Sequence, residues 1–328
     1  MRVAIIGAGL SGLTLARALS TRGIAVDVFE KSRGLGGRLA VKRLPWANLD
    51  IGAQYFTARD SRFKTQVEQW LELGVVARWD FTPYKLTDGE LKPSADSQSR
   101  YVGMPGMNGM AHSLAGGLNT HRDTRIESIR KQKEGWQLLD ARQNIIADGY
   151  RWVVSSAPAE QSRLILAETA LADRIPVNIH LPCRALGIAT KGRVNSMIQG
   201  VFGGDTVSWL SRLSSKRETP VTDAYDDVWM LHFSNNWSIR HEHMPDDMFA
   251  SEGLDWLNAT LRDHSDTPLS LRHYVSHYWR YAIPASTAET GKIIADADEG
   301  VAVIGDWLAG GRVEGAYLSA IELADYYF

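Results

Sequence analysis

Three shortages in this sequence each close off a class of protein. Cysteine occurs once, as Cys183, in 328 residues. A single thiol cannot build an internal disulfide framework, which suits a reducing compartment; the residue reads as a small buried hydrophobe. No apolar run approaches the ~20 residues a membrane helix requires. Residues 1–7 enter a strand-like run directly, without the leader and cleavage site of a secretory signal. A soluble cytoplasmic protein without membrane contact is the expectation. Charge of one sign is not in excess either: 36 Lys and Arg stand against 38 Asp and Glu. No basic field therefore invites nucleic acid. Internal repeats, low-complexity tracts and long linkers are missing as well, and no oligomeric state is specified.

What is present is an ordinary globular mixture, 44% hydrophobic and 23% charged, with length for two domains of the usual ~100–200 residues. Residues 3–6 form a short apolar run ending in glycine, the pattern of a buried parallel strand. Leu10, Leu13, Leu15, Ala18 and Leu19 then recur at helical spacing, with Gly23 as a stop signal. Residues 25–29 make a second apolar strand ending at Glu30. Strand, glycine turn, helix and strand predict a βαβ unit with a right-handed crossover.

Its turn, Gly7-Ala8-Gly9-Leu10-Ser11-Gly12, fits G-x-G-x-x-G. Gly7 permits the tight turn, Gly9 lets backbone approach a pyrophosphate, and Gly12 lets helix and strand pack closely. The helix start then offers free N–H groups and a positive dipole end to phosphate. Glu30 closes the second strand at the customary interval after Gly12, where a carboxylate can accept from ribose hydroxyls and would repel a 2′-phosphate. Alone, this unit could hold NAD, FAD or neither. Arg33-Gly34-Leu35-Gly36-Gly37-Arg38 follows; its glycines permit close approach to a ligand and Arg38 can offer a guanidinium to phosphate. A glycine-rich surface loop with a solvated Arg is the other reading.

Beyond residue 60 the pattern is helical, then irregular and polar to about residue 100. A further helix starts after Pro105-Gly106-Met107. Strands follow over 126–129, 136–139, 144–147 and 152–155. Residues 160–290 mix helix and strand in a Trp-rich stretch. Residues 301–304 are again a buried-type strand, followed by Gly305-Asp306, and the last helix runs from Gly315 to about Tyr326. The returning strand would complete the N-terminal sheet. The fold expected is α/β, a discontinuous Rossmann-type FAD-binding domain (1–60, 103–160 and 290–328) with an inserted mixed α+β substrate domain (61–102 and 161–289).

Within the insertion, residues 273–281 alternate, so His277, Trp279 and Tyr281 share one strand face while Tyr278 and Arg280 share the other. An aromatic wall with an imidazole suits a planar ligand; a half-buried strand rich in Trp and Tyr is the alternative. His232, on the strand-like run 228–233, is a pocket candidate or a satisfied core histidine. Arg212, Lys216, Arg217 and Glu218 read as a solvated loop, or as basic groups reaching a phosphate. His241-Glu242-His243 and the His273/His277 pair match no H-E-x-x-H pattern, and no metal is expected.

The G-x-G-x-x-G unit ending in Glu30, followed by R-G-x-G-G-R, resembles the FAD-dependent amine oxidase superfamily. Gly305-Asp306 is similar to its second FAD signature, where Asp contacts the ribityl–pyrophosphate region. Gly315-Ala316 resembles the segment whose N–H groups face the flavin pyrimidine. The run Asp50-Ile51-Gly52-Ala53-Gln54-Tyr55-Phe56-Thr57-Ala58-Arg59-Asp60 resembles the renalase-type branch, its bacterial members most. So do Pro105-Gly106-Met107, Ala157-Pro158-Ala159-Glu160-Gln161, His277-Tyr278-Trp279-Arg280-Tyr281-Ala282, Gly305-Asp306-Trp307 and Gly311-Arg312-Val313-Glu314-Gly315-Ala316.

The resemblance implies an FAD-dependent oxidase. It would take hydride from non-standard dihydronicotinamide isomers, the 2- or 6-dihydro forms of NAD(P), and pass electrons to O2 to give NAD(P)+ and H2O2. The implied cofactor set is Gly7, Gly9, Ser11, Gly12, Glu30, Lys31, Gly36, Gly37, Arg38, Gln54, Tyr55, Phe56, Ile126, Gly305, Asp306, Glu314, Gly315 and Ala316. The implied substrate pocket is Gln54, Tyr55, His232, Trp279 and Tyr281, although Tyr55 and Phe56 read equally as core aromatics. No cysteine lies near residues 305–311, so the flavin would be noncovalent. A flavin amine oxidase is the rival reading, and it would want a flavin-proximal lysine that the sequence does not place. A flavin monooxygenase is weakened by Trp307-Leu308, which stand where that class has His and Pro. A non-enzymatic, protein-binding relative of the fold is the third.

Overall fold

A computed structural model describes residues 1–217, 223–285 and 291–328 of the chain. Its framework is a six-stranded sheet in the order Ile293–Asp296, Val301–Ile304, Trp152–Ser155, Arg2–Ile6, Ala25–Phe29, Asn119–His121. Every pair is parallel except Ile293–Asp296 on Val301–Ile304. The three central strands are apolar and almost entirely buried, as a parallel sheet covered on both faces demands. Helices Leu10–Thr21 and Val313–Tyr327 cover one face, burying Val3, Ile5, Val154 and Ala302. The other face carries an antiparallel meander, Ser128–Gln132, Gly135–Leu139 and Ile145–Tyr150, with helix Ala159–Ile165. The strands expected over 126–129 and 144–147 are thus present, displaced toward the C-terminus. The fold is α/β with a Rossmann-type sheet, as the periodicity predicts.

The second sheet has seven strands, ordered Ser270–Pro284, His180–Lys191, Asp227–Phe233, Val207–Arg212, Gly200–Phe202, Tyr84–Thr87, Glu90–Pro93. Helix Asp246–Leu261 packs Phe249, Leu257 and Leu261 on one face. The other face, with Ala185, Val228 and Met230, receives Leu49 and Ile51 at the hairpin Val41–Arg43/Asn48–Asp50. That hairpin docks the segment after the second glycine loop directly on the second sheet. Residues 79–100, expected to be irregular, instead supply a hairpin that joins this sheet through the parallel pairing of Tyr84 and Lys85 with Val201 and Phe202. The hairpin alternates half-buried and exposed positions on a sheet edge, a period of two that its polar composition masks. The expected boundary near 289–290 lies at the edge of the described residues, with 286–290 outside them.

The first glycine turn is held by close packing. A Cβ on Gly12 would lie 2.1 Å from the Gly7 carbonyl oxygen and 2.6 Å from Ser156 Oγ. Backbone cannot yield as a side chain can. Gly12→Ala is expected to lower stability by about 3 kcal/mol, the upper end of overpacking costs. Urea unfolding followed by tryptophan fluorescence checks this, and an unchanged midpoint would contradict the packing argument.

Candidate functional site

One cavity of about 1000 Å3 collects residues from both sheets and from the first and last helices. At one end stands Glu30, buried at the tip of the second strand. Its Oε2 accepts from the Ala8 N–H and its Oε1 from the Ser32 N–H, both at 2.8 Å. These bonds fix the carboxylate and leave each oxygen a lone pair for a hydroxyl donor. Helix Leu10–Thr21 begins at Gly9 without a side-chain cap, so its first N–H groups are free for an anion. Ser11 Oγ, also on the cavity, is buried and has no hydrogen-bond partner. Gly7, Gly9, Lys31, Gly36, Gly37 and Ile126 line the same end. The Gly36 N–H donates to the Ala8 carbonyl at 2.9 Å, which ties the second glycine loop to the first.

Asp306 and Gly305 reach this cavity because Val301–Ile304 delivers them there. Asp306 meets Arg38 in a two-pronged salt bridge, and Arg38 Nη1 also donates to the Ala282 carbonyl at 3.0 Å. The guanidinium expected to face a phosphate is therefore matched by a carboxylate. It fastens the second glycine loop to the end of strand Ser270–Pro284. The start of helix Val313–Tyr327, likewise without a side-chain cap, contributes Arg312, Val313 and Ala316.

Four residues of the expected cofactor set do not line the cavity. Gly12 serves helix–strand packing, as described. Phe56 is core, 5.6 Å from the Tyr101 ring and 5.7 Å from Phe63. Glu314 Oε1 accepts from the N–H groups of Arg59 and Asp60 at 2.6 and 2.8 Å. Gly315 is needed against the preceding loop, where a Cβ would meet the Ala309 carbonyl oxygen at 2.2 Å. Glu314 and Gly315 conform to the resemblance in type, and in the fold they hold the last helix in place.

The far end is aromatic. Tyr55, Trp209, Phe202, His232, His277, Trp279 and Tyr281 all line the cavity. Tyr55 lies 5.1 Å from Trp209, and His277 stands edge-on to Trp279 at 4.3 Å. Trp209 belongs to none of the sequence motifs. Its indole Nε1 is buried on this wall without a partner, and only the alternation over 207–212 hints at its orientation. The Ile51 carbonyl accepts from Trp279 Nε1 at 2.8 Å and from His232 Nε2 at 3.3 Å. A carbonyl only accepts, so His232 carries its proton on Nε2 and keeps Nδ1 as an acceptor. Burial, with a smaller push from Lys216, lowers the His232 pKa to about 4. Burial likewise lowers that of His277, raises that of Tyr55 and pushes the Cys183 thiol up to about 12.

Gln54 shapes the wall from behind. Its Nε2 donates to the carbonyls of Asp50 and Gly52, the latter at 2.9 Å. Its Oε1 accepts from Ser211 Oγ at 2.7 Å and Lys216 Nζ at 2.6 Å. All four capacities of the amide are filled, so its side chain has none left for a ligand. The basic cluster after residue 211 is correspondingly not a solvated loop. Lys216 is buried, Arg217 pairs with Asp50 at 2.9 Å, and Arg212 Nε pairs with Asp227 at 2.7 Å. Each is paired with a buried acceptor, and none lines the cavity; Glu218 lies outside the described residues. Among the described residues no group of three His, Cys, Asp or Glu side chains could hold a metal, and no helix is long and apolar enough to cross a membrane.

A family model described as an NAD(P)-binding Rossmann-like domain matches residues 5–70. The hydroxyneurosporene desaturase of Rubrivivax gelatinosus is 37% identical over 86 residues, which cover 24% of this chain and 16% of that protein's length. Two solved structures share nearly the whole fold. One is a candidate protoporphyrinogen oxidase from Exiguobacterium sp. 255-15, with a TM-score of 0.75 at 12% identity, covering 99% of this chain and 98% of that one. The other is an oxidoreductase from Methanosarcina mazei, with a TM-score of 0.72 at 13% identity, covering 99% and 100%. The chain shares the overall fold of these two structures, with a Rossmann-like domain at its start. The sequence motifs at residues 7–12 and 305–306 meet in it as they do in no single stretch of sequence.

His232 supplies a pH test of the wall. Its folded pKa lies below the usual histidine value of 6.5, so between the two the unfolded chain binds more protons. Its contribution is full above about pH 6.5 and is lost as pH falls toward 4. At 1.36 kcal/mol per pKa unit this amounts to about 3 kcal/mol. His232→Gln, which keeps an N–H for Ile51, should flatten the fall of thermal midpoint between pH 6.5 and 4 relative to the parent. Equal slopes in the two proteins would show that His232 is charged in the fold.

Proposed function

We propose that this chain is an FAD-dependent oxidase of the renalase type, acting on non-standard dihydronicotinamide isomers. The observation that carries this reading is the far wall of the cavity, where aromatic rings surround titratable groups that burial holds neutral at pH 7. Such a wall suits an uncharged planar ring that gives up hydride and needs no acid or base. An amine would arrive as an ammonium and would have to lose a proton first. The buried lysine wanted by the amine reading does exist, but Lys216 faces Gln54 and does not line the cavity.

The residues present fit FAD. Glu30 would accept from the adenosine ribose. The uncapped start of helix Leu10–Thr21, the unpartnered Ser11 hydroxyl and the loop at Gly36 and Gly37 would hold the pyrophosphate. The segment of residues 51–55 and the uncapped start of helix Val313–Tyr327 would flank the ring. FAD supplies the hydride acceptor and the route of electrons to O2, which yields H2O2. A cavity of about 1000 Å3 lies at the top of the usual range for ligand sites, which supports a resident dinucleotide with a second ring beside it. Nicotinamide enters on this reading as substrate. Within the aromatic wall, His232 Nδ1 can accept from its carboxamide, and Trp279 and Tyr281 can bound the ring. Cytoplasmic metabolite repair is the role that goes with this chemistry.

The purified protein should be yellow with noncovalent flavin. Anaerobic mixing with 6-dihydro- or 2-dihydro-NAD should bleach the flavin within seconds, and admitting O2 should restore its colour and yield H2O2. Rapid bleaching by primary or secondary amines with no response to the isomers would replace this reading with the amine oxidase one. A colourless protein that takes up no FAD would favour the non-enzymatic relative. Glu30→Ala should weaken FAD at least about tenfold, the loss expected on removing a charged acceptor, as read by flavin fluorescence on titration.

A further inference from the structure

The chemistry just described makes no use of a buried lysine. Lys216 follows the short 3-10 turn Leu213–Ser215, is 7% exposed, and its Nζ is 2.6 Å from Gln54 Oε1. The Trp79 ring lies 5.1 Å from the same nitrogen. Burying an ammonium is costly unless it is paired. Here the nearest carboxylate, Asp50, is already held by Arg217 and by the Met107 N–H. Lys216 forms no salt bridge among the described residues.

We propose that Lys216 is the positioning residue for the cavity wall at residues 50–54, acting through Gln54 to set how tightly a ring seated against that wall is bound. The amide can stand only one way round. Its NH2 faces two backbone carbonyls, Asp50 and Gly52, while its oxygen faces the two donors Ser211 and Lys216. With Lys216 removed, Oε1 loses its charge-assisted donor, and the grip of Nε2 on the two carbonyls slackens. The Ile51 carbonyl between them carries the bonds from Trp279 and His232. A shift of the 50–54 backbone is therefore felt on the cavity side. The coupling runs from Lys216 to Gln54 to backbone to aromatic wall, through contacts between segments distant in sequence.

Charge sharpens the role. Burial, opposed by Asp50 and reinforced by Arg217, lowers the Lys216 pKa to about 7. The groups that face it are Asp50 from strand Asn48–Asp50, the adjacent Arg217, and His232 from strand Asp227–Phe233. His232 is neutral at this pH. As pH rises through about 7 the ammonium becomes an amine, and its bond to Gln54 weakens from charge-assisted to neutral.

The inference rests on the FAD reading, and the test separates the two. FAD and ADP are titrated against the parent and Lys216→Met between pH 6 and 8, with urea unfolding in parallel. ADP probes the Glu30 end alone, and so serves as an internal control. Lys216→Met is expected to weaken FAD about tenfold while leaving ADP within about twofold. The parent's FAD affinity should fall as pH rises through 7, and that slope should vanish in the variant. Lys216→Met with parental FAD affinity and slope, or with FAD and ADP weakened alike, would overturn the proposal. If Lys216→Met does not fold, Ser211→Ala removes the other donor to the same oxygen. It should weaken FAD about threefold with ADP unchanged, since a neutral bond is worth less than a charged one; no selective loss of FAD would overturn the proposal. A parent that binds ADP but no FAD would instead sink the reading on which this inference rests.

Discussion

The parallel pairing of Val301–Ile304 with Trp152–Ser155 is the constraint on which the site depends. It inserts the last part of the chain beside strands formed from its beginning. Asp306 is thereby carried to Arg38, and the start of the last helix to the cavity that the first glycine turn also lines. Each partner is incomplete alone. On the proposed reading the opening βαβ unit would provide backbone for a phosphate and a carboxylate for a ribose, yet nothing to enclose a ring. The closing strand and helix provide a helix start and a carboxylate without a cradle. Because loop closure costs grow only slowly with length, the long excursion between these strands adds little penalty once the sheet's burial rewards their pairing.

The second sheet is joined to the first through charge as much as through apolar contact. Arg38 binds Asp306 and Ala282, Arg217 binds Asp50 and Pro105, and Gln54 binds Ser211 and Lys216. Through these groups the nucleotide side is tied to the strands of the second sheet and its loops. Surface ion pairs of this kind would be worth little, but Asp50, Asp306 and Lys216 are almost fully buried. Removing one partner would strand the other in a low-dielectric interior. The cavity is bounded by these same segments, so the two sheets cannot separate without altering its walls.

The parts of this arrangement that were legible in the sequence are those with a local signature. The strand–glycine–helix turn, Glu30, the alternation of His277, Trp279 and Tyr281, and the buried-type strand at 301–304 each declare themselves within a short window. What was not legible is long-range pairing. Lys216 and Arg217 look like a basic surface loop until Gln54 and Asp50, from a distant part of the chain, are seen against them. Gly315 and Glu314 match a ligand-facing pattern by type, but Ala309 and the N–H groups of Arg59 and Asp60 claim them first. Tyr84–Thr87 went unrecognised because a half-exposed strand next to the sheet edge needs few apolar residues, and its partner strand Gly200–Phe202 lies far along the chain.

The distribution of acids along the cavity bears on how a reaction there would end. Its acidic lining residues, among those described, are Glu30, Glu127 and Asp306. Glu30 stands at the ribose end, Glu127 pairs with Arg125, and Asp306 is matched by Arg38. None of these faces Trp209 and Trp279 with an unmatched charge. On the proposed reading the substrate ring is neutral and the product ring cationic. A wall of neutral rings and imidazoles, with the lysine behind it, gives the cation no counter-charge, so hydride loss converts a ligand that fits the wall into one that does not. The same absence of carboxylate would make the wall a poor host for a protonated amine. Binding and release are then set by one physical property, the lack of negative charge at the aromatic end. Ser208 lines the cavity and its hydroxyl donates to the His232 carbonyl at 3.0 Å; a carboxylate introduced there, as in Ser208→Asp, is expected to slow product release more than hydride transfer, so that steady-state turnover falls while the rate of anaerobic flavin bleaching holds.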